Sequence, residues 1–345
     1  MKCLRALVVA SLTGWPGAAL ALQSNVGGNT AEFLKIGAGA RALGMGEAFG
    51  PVAEGAETIY WNPAGLAKIK RPLVSYTRSE FLGFFHHAFL AYAHPVEALK
   101  GTLAGSYTRL SQQALPLVTN ANIQIGEFSP QSHALALAYA HAFGADHAGQ
   151  GANTYLGEPW SESQSYARPR HETEPWSGVV AVGLSLKAIN ETIYDKNATA
   201  LAVDAGLIIR PVNLEALNLS LALRNAGSPE RFGEQSENLP TEVAFGVSYD
   251  HRSAQSRLLP AFELALPYYG SPNAKLGVEY QQSASDQATI SMRAGFKTLT
   301  AADLNLLSGI TVGIGVQLRR FTLDFGFQPL AELGQVYRMT GGLRW

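Results

Sequence analysis

The sequence predicts an all-β fold, a transmembrane antiparallel β-barrel of about 14 strands preceded by an N-terminal plug, or hatch. Three observations predict it: a period-two alternation of apolar and polar residues, the length of the alternating segments, and an amphipathic last segment that ends in an aromatic residue. Most segments span roughly 10 to 13 residues, whereas strands of soluble proteins average about 5 or 6 and a tilted membrane strand needs about 9 to 11. The lengths therefore favour strands that cross a bilayer.

The alternation begins near Pro72 and continues to the end of the chain. In residues 309–318, isoleucine, valine and leucine occupy one face, while threonine, glycine and glutamine occupy the other. We therefore assign residues 72–345 to the barrel. The alternating segments lie near residues 72–82, 84–95, 100–111, 132–143, 177–189, 198–210, 214–225, 240–251, 257–267, 273–282, 288–298, 308–319, 320–329 and 335–345.

The composition argues against a helical membrane protein and against a nucleic-acid-binding protein. Hydrophobic residues make up 47% of the 345 residues and charged residues only 15%. Beyond the first two dozen positions, the sequence has no run of 18 or more apolar residues, which a membrane-spanning helix would need. The formal charge of −1 provides no basic surface for nucleic acid.

Residues 1–21 have the features of a secretory signal peptide. Lys2 and Arg5 supply the positive start, residues 6–12 the apolar stretch, and residues 19–21 a small-residue cleavage site. The single cysteine, Cys3, lies inside this segment, so the exported chain would contain no disulfide and no cysteine ligand. Together with the strand pattern, export predicts the bacterial outer membrane as the location.

Residues 22–71 differ from the rest of the chain because they are rich in glycine and alanine and lack the alternation. The hatch motif that we single out consists of Gly44, Gly46, Asn62, Pro63 and Ala64. Asn62 suits the N-cap of a helix, and Pro63 suits its first position. Such a segment of small residues could pack inside the barrel as a plug, and it could equally form a small periplasmic cap.

The polar faces of the strands carry charged residues together with glycine, alanine and serine. In a membrane barrel this face lines the interior, where water or opposite charges solvate it. Two interpretations follow, a lined transport path and a structural network of paired charges, and we favour the second. The lumen-facing candidates are Lys187, Asp204, Arg224, Glu263, Lys275, Glu279, Arg293 and Asp324.

The last segment carries a predicted insertion signal. Tyr337, Leu343 and the terminal Trp345 share one face of this segment. An apolar edge strand of this kind would invite aggregation in a soluble protein, whereas in a closed barrel it pairs with the first strand and faces lipid. We expect the outer-membrane insertion machinery to recognise it.

Several motifs occur in order along nearly the whole exported chain: residues 39–46 (GARALGMG), 60–66 (YWNPAGL), 182–187 (VGLSLK), 204–207 (DAGL), 225–227 (NAG), 239–240 (LP), 323–325 (LDF) and 333–334 (LG). This series resembles the PorV/PorQ family of outer-membrane proteins. It also resembles, more distantly, the FadL-type transporters of hydrophobic compounds, which share an N-terminal segment that ends in Asn-Pro-Ala.

The resemblance implies a fourteen-stranded barrel with a hatch, no enzymatic activity and no cofactor. A PorV-type member would be a binding or transport component that acts with the type IX secretion machinery, with secretion proteins and exported cargo as partners. The alternative is a FadL-like channel for long-chain fatty acids or other hydrophobic small molecules. In both cases the further partners are outer-membrane lipid and the barrel-insertion machinery.

One segment departs from the pattern of the family. The connection at residues 144–176 is predicted on the periplasmic side, where the family has a tight turn, and it contains Tyr155, Trp160, Tyr166 and Trp176. Three interpretations stay open: a disordered insertion, which its Gly, Ser, Pro and Glu content favours, a periplasmic contact surface, and an additional hairpin.

The sequence contains no nucleophile elbow, P-loop or zinc-ligand spacing. His86 and His87 are adjacent, so they point to opposite faces of a strand and cannot chelate one metal ion together. His133 and His141 share a face but stand about 26 Å apart at 3.3 Å per residue. We therefore predict no catalytic, cofactor-binding or metal site.

Overall fold

A computed structural model describes residues 30–81, 83–144, 179–211, 214, 216–232, 235–285 and 287–345. It confirms the predicted fold class: fourteen antiparallel strands form one closed barrel. Among the described residues, no helix is long and apolar enough to cross a membrane. The predicted signal peptide and residues 145–176 of the predicted insertion lie outside the described residues.

The barrel strands are numbered in chain order. They are β1 Leu73–Phe81, β2 Phe85–Val96, β3 Gly101–Gln112, β4 Gln131–Phe143, β5 Val179–Ile193, β6 Lys196–Arg210, β7 Leu217–Gly227, β8 Glu242–Tyr249, β9 Ser256–Pro267, β10 Asn273–Ser285, β11 Ala288–Lys297, β12 Ile310–Leu318, β13 Phe321–Pro329 and β14 Gln335–Arg344.

The first and last strands close the barrel. In the β1–β14 pair, Leu73 lies opposite Arg344 and Phe81 lies opposite Val336. The Trp345 backbone N–H then donates to the carbonyl of Pro72 at 3.1 Å. All other strands pair with their sequence neighbours. Closure leaves no edge strand with unpaired backbone groups, which a membrane interior would not tolerate.

The predicted alternation separates the two surfaces of the wall. On β4, Ala134, Ala136 and Ala138 are buried, while Leu135 and Leu137 between them are 60% and 73% exposed. The same division runs through the other strands, with leucine, isoleucine, valine and aromatic side chains on the outside. The outer surface therefore suits lipid, and the polar and small residues line the lumen.

The connections differ at the two ends of the barrel. At the end that holds Leu73 and Arg344, here called the terminal end, several connections are short, such as residues 97–100 and 319–320. At the opposite end, the longer connection at residues 113–130 contains a hairpin, in which Leu115–Val118 pairs with Gln124–Phe128. Small elements at that end also include the hairpin Glu230–Phe232 with Gln235–Glu237 and the helix α3 Thr298–Asp303.

The described part of the hatch, residues 30–71, lies inside the barrel. It contains two short α-helices, α1 Ala40–Gly44 and α2 Thr58–Trp61, and two 3₁₀-helices, Glu32–Lys35 and Pro63–Lys68. It begins at the end opposite the termini, where the Thr30 backbone N–H donates to Asn238, and it ends at β1. The hatch therefore crosses the lumen along its length, rather than covering one mouth.

Candidate functional site

The Asn-Pro-Ala motif of the hatch forms a turn that is held by its own asparagine. The Asn62 side chain accepts a hydrogen bond from the Ala64 backbone N–H at 3.1 Å and caps the 3₁₀-helix that starts at Pro63, as predicted. Its amide nitrogen donates to the wall carbonyls of Leu207 and Leu221 at 3.3 and 3.4 Å. One buried side chain therefore fixes both the hatch turn and its position on β6 and β7.

Two glycines of the wall make room for this turn. Gly183 and Gly206 lie opposite each other on β5 and β6. A Cβ on Gly206 would lie 2.0 Å from Asn62 Oδ1, and one on Gly183 would lie 2.3 Å from the Pro63 carbonyl carbon. Neither separation is sterically possible, so the turn requires glycine at both wall positions.

Helix α1 lies on a second glycine surface. Gly44 approaches Gly313 so closely that a Cβ on Gly44 would lie 2.9 Å from the Gly313 Cα. Gly46 has a φ of 62° and approaches the Leu276 carbonyl, so it needs glycine both for its backbone conformation and for space. Gly295 and Gly326 line the same surface. Backbone therefore packs directly against backbone on β10 to β13.

Arg41 of α1 connects the hatch to a chain of buried charges on the wall. Its guanidinium donates to both oxygens of Glu279, at 2.6 and 2.8 Å, and to Glu54 of the hatch at 2.9 Å. Arg293 bonds the same Glu279 and reaches Asp324 at 2.7 Å. Glu279 is fully buried, so two guanidinium groups balance its charge away from water.

Glu54 also connects the hatch to β9. Its carboxylate lies 2.7 Å from a guanidinium nitrogen of Arg257, which is itself buried. Arg257 in turn pairs with Asp250 at 2.7 Å, and Arg252 approaches the same aspartate at 2.8 Å. This second chain of charges lies toward the terminal end of the barrel.

A third cluster surrounds the carbonyl end of α2. Arg224 donates to the Trp61 carbonyl at 2.7 Å and pairs with Glu263 at 3.1 Å. Lys275 also pairs with Glu263, at 3.2 Å, and the Gly50 backbone N–H donates to that carboxylate at 2.7 Å. The cations of Arg224 and Lys275 both lie within 5.5 Å of the Trp61 ring centroid, at cation–π distance.

Glu47 forms the fourth connection between hatch and wall. Its two oxygens lie 3.3 Å from Lys297 on β11 and 3.3 Å from Arg338 on β14. Arg338 additionally donates to the Gly39 carbonyl and to Ser79 on β1. The charges of Glu47, Glu54 and Arg41 therefore join the hatch to strands on one side of the lumen.

A β-bulge interrupts the pairing of β6 with β7 at a further buried charge pair. The register shifts between Val203 and Ala205, and Asn225 on the bulged strand has a φ of 56°. Asp204 accepts a hydrogen bond from the Asn225 backbone N–H at 2.7 Å and pairs with Lys187 at 2.7 Å. The side chains thus replace ladder hydrogen bonds that the bulge removes.

The structure places all eight lumen-facing candidates on the inner face, and each belongs to at least one ion pair. It brings six of them together with hatch residues, directly or through one another, while Lys187 and Asp204 bond mainly to each other and to Asn225.

The residues of the predicted insertion signal, Tyr337, Leu343 and Trp345, lie on the outer side of the last strand pair, where the Trp345 ring stacks on Tyr92 at a centroid distance of 5.9 Å.

The other half of the lumen is lined mainly by small and apolar side chains. Buried alanines predominate on the inner face of β4 and recur on β2 and β6, whereas the inner face of β3 is mostly serine and threonine and that of β6 also carries Asp204 and Arg210. Against this alanine-lined wall pack hatch side chains that include Phe33, Leu34, Ile59 and Leu66, which are at most 4% exposed. The hatch therefore has a charged side, held by ion pairs to β7–β14, and an apolar side that rests on alanine.

The first described hatch residue contacts two carboxylates. Thr30 Oγ1 donates to Glu230 at 2.6 Å and lies 3.2 Å from Glu191, and the Ala31 backbone N–H donates to Glu191 at 3.0 Å. Glu230 is fully buried, and its second oxygen has no hydrogen-bond partner among the described residues. Burial and then the negative charge of Glu191 raise the pKa of the Glu230 carboxyl to about 7, although the Thr30 hydrogen bond lowers it.

Sequence reasoning missed the hatch charges Arg41, Glu47 and Glu54, because a segment without periodicity gives no indication of which side chains face the wall. It also missed the alanine-lined wall, since alanine is common on either face of a strand. The one sequence feature that could have indicated where the hatch packs against the wall is the recurrence of glycines on the polar face of neighbouring strands. His87 is buried on the inner face and His86 lies outside, as the predicted opposite orientations require.

A cavity of about 110 Å³ opens between the hatch and the wall near the terminal end. Its lining includes the charged Arg41, Glu54, Arg293 and Asp324 together with the apolar Phe49 and Val316, so the cavity is of mixed polarity. Within the part of the chain that the structure describes, no three His, Cys, Asp or Glu side chains are grouped as metal ligands.

No protein-family model and no curated protein matches the chain. Solved structures of similar fold include the toluene transporter TodX of Pseudomonas putida, with 9% identity and a TM-score of 0.52 over 89% of this chain and 97% of that chain. The toluene transporter TbuX of Ralstonia pickettii has 12% identity and a TM-score of 0.50 over 90% and 98%. The deltaS2S3 mutant of TodX, a monoaromatic hydrocarbon channel, has 9% identity and a TM-score of 0.51 over 89% of this chain and 98% of that chain.

This chain has the fold of these hydrocarbon channels. Identities of this size establish the architecture alone, and function depends on the residues that line the lumen. These structures share the barrel fold that the sequence resemblance implies, and they do not distinguish a PorV-type from a FadL-type member.

Proposed function

We propose that the chain is a bacterial outer-membrane channel that admits apolar small molecules along one side of its hatch. The observation that carries the proposal is the division of the lumen into a charged half and an alanine-lined half. The ion pairs hold the hatch to β7–β14, whereas the contacts of the alanine-lined half are small, apolar and non-directional. An apolar solute can replace those contacts without leaving a buried charge unpaired.

The proposed orientation places the terminal end in the periplasm and the opposite end outside the cell. Outer-membrane barrels have short periplasmic turns and longer external loops, and the two hairpins and α3 lie at the end opposite the termini. The signal peptide proposed for residues 1–21 would deliver the chain to this membrane. An apolar solute would then meet Phe33 and Leu34 first.

The test is uptake of radiolabelled toluene by cells with a lipopolysaccharide outer leaflet, because that leaflet, unlike a phospholipid bilayer, slows apolar solutes. Cells that express the chain should take up toluene faster than cells with an empty vector. The double variant Phe33→Ala, Leu34→Ala should raise the initial rate of uptake several-fold. It removes the two large side chains that pack beside Ala200 and Ala202, and so it opens a gap between the hatch and the wall.

The matched control is Phe49→Ala, a buried hatch phenylalanine that packs near Trp61 on the charged side. It also removes a phenyl ring from the hatch, but it should leave the rate of toluene uptake unchanged. Uptake equal to that of the empty vector for all variants would contradict the channel proposal. An equal acceleration by Phe49→Ala would contradict the assignment of the path to the alanine-lined half.

We propose a PorV-type role in protein secretion as the second candidate, and exposed apolar side chains at the outer end favour it. Ile123 and Ile125 of the Leu115–Phe128 hairpin are 61% and 62% exposed, and Leu306 and Leu307 beside α3 are 69% and 66% exposed. Scattered apolar residues are common on surfaces, but adjacent exposed pairs such as these at one end of the barrel suit contact with a protein partner.

A secretion role would be tested by photo-crosslinking from positions 123 and 306 in outer membranes of the native organism. Crosslinks to an exported protein or to a secretion component would support it. If mass spectrometry of both positions identified only lipid adducts, the secretion role would be rejected, and the channel proposal would be unaffected.

A further inference from the structure

Charged side chains on the outer face of the barrel are confined to one patch. Away from the first and last residues of the described strands, the Asp, Glu, Lys and Arg side chains that point outward are Arg78 and Glu80 on β1 and Arg109 on β3. By contrast, β12 exposes Ile310, Val312, Ile314, Val316 and Leu318 over its full length. Charges on a lipid-facing wall are destabilising at mid-membrane, so their clustering needs a cause.

The two arginines lie in register across one small residue. Arg78 pairs with Ala88 on β2, and Ala88 pairs with Arg109 on β3. Two strand spacings separate their Cα atoms by about 10 Å, and the Ala88 side chain between them is too short to fill the gap. Both guanidinium groups can therefore reach one anion above Ala88.

The patch carries excess positive charge. Arg78 is paired with Glu80 at 2.7 Å, and Glu80 also contacts His86. Arg109 donates to the amide oxygen of Gln131 at 3.3 Å, and among the described residues it has no carboxylate partner. One guanidinium is thus left with its charge unbalanced on the outer wall.

The patch lies toward the end of the barrel that we place outside the cell. Arg78 is three residues before the end of β1, and Arg109 is three residues before the end of β3. Below the patch, the outer face of β1 and β2 becomes apolar with Tyr76 and Leu90. The charges therefore stand at the boundary between acyl chains and headgroups of the outer leaflet.

We propose that Arg78 and Arg109 form a binding site for a phosphate group of an outer-leaflet glycolipid. The planar guanidinium fork matches phosphate oxygens in a bidentate manner, and phosphate is the anion that such a leaflet presents at this depth. Tyr107 and His133, which stack at 5.9 Å and are hydrogen-bonded at 2.8 Å, stand beside Arg109 and offer a flat surface for a sugar ring. The site depends on the outer-membrane location, but not on the channel proposal.

The test measures lipid binding to the full chain in detergent by native mass spectrometry. The probes are diphosphorylated lipid A, the same lipid without phosphates, and inorganic phosphate. We expect the phosphorylated lipid to bind at least ten times more tightly than the dephosphorylated lipid. The variant Arg78→Gln, Arg109→Gln should abolish this difference, and Arg109→Lys should retain part of it.

The matched control is Arg319→Gln, Arg320→Gln, which removes two exposed arginines at the terminal end and should leave the difference intact. Folding of each variant is checked by heat-modifiable gel mobility. Equal binding of the two lipids by the wild-type chain would overturn the proposal. It would also be overturned if inorganic phosphate bound as tightly as the lipid, or if a co-purified protein, rather than a lipid, were lost in the double variant.

Discussion

The Glu230 carboxyl group is buried, and among the described residues no Lys or Arg lies near enough to pair with its ionised form. The other side of its site is Glu191, which accepts hydrogen bonds from the Ala31 backbone N–H and the Ser132 hydroxyl. Glu230 is the member of the pair whose pKa is raised, chiefly by burial. The first described residues of the hatch are held by these two carboxyl groups.

This arrangement predicts pH dependence of the hatch contact at Thr30. In the folded chain Glu230 holds its proton up to about pH 7, whereas its ordinary pKa is 4.5. The folded state thus binds more protons between these values, so the stability that the site contributes falls as the pH rises from 4.5 to 7 and is constant above. The hydrogen-exchange protection factors of residues 30–36, which correct for the intrinsic pH dependence of exchange, should fall over this range, and Glu230→Gln, which stays neutral, should remove that fall. An unchanged pH profile in that variant would contradict the assignment.

Gly206 offers a second prediction at this scale, because its neighbour Asn62 leaves no room for a side chain. Gly206→Ala should displace the hatch turn and destabilise the protein by about 1 to 3 kcal/mol, as overpacked sites do. Gly341→Ala is the control, since Gly341 also lies on a barrel strand but a Cβ added there would meet nothing within 4 Å. Thermal unfolding in detergent should separate the two variants by several degrees. Similar melting temperatures would mean that the hatch turn is not seated on Gly206.

At the scale of elements, the last strand completes two ladders. Deleting residues 337–345 removes the pairing of β14 with β1 and with β13 over most of its length. We expect the truncated chain to fail to insert into the outer membrane, as measured by heat-modifiable mobility and surface protease protection. Deleting the hairpin Leu115–Phe128 removes a longer segment, but one that pairs only with itself, and it should leave insertion intact. Normal assembly of the chain without its last strand would contradict the role of β14.

The strands could be predicted from sequence because the signal is local. Alternation along β12 is visible within nine consecutive residues and needs no knowledge of the partner strand. The hatch contacts could not be predicted, because Arg41 and Glu279 are 238 positions apart and neither carries a local pattern. The Asn225 bulge was missed for a related reason: its Asp204 and Lys187 partners are on other strands, and the residue by itself only indicates a turn.

At the scale of the whole molecule, the two halves of the lumen give the hatch two kinds of attachment. Glu47 and Glu54 are the hatch acids that reach wall cations, at Lys297, Arg338 and Arg257. Replacing both glutamates with neutral residues leaves those cations buried with less counter-charge. This strongly destabilises the arrangement in which the hatch is packed against the charged half of the wall. Water and ions can then solvate the freed charges, so the charged half should open as an aqueous path.

We therefore predict that Glu47→Gln, Glu54→Gln raises ion conductance in planar lipid bilayers well above the wild-type level. The double variant Phe33→Ala, Leu34→Ala should raise it far less, since the wall that it uncovers around Ala200 and Ala202 is mainly apolar and solvates ions poorly. This pair of variants separates hatch anchoring from the apolar path: one should conduct ions, and the other should mainly accelerate toluene uptake. Equal ionic currents through both variants would show that the hatch moves as one plug, and that the lumen has no functional division between its charged and alanine-lined halves.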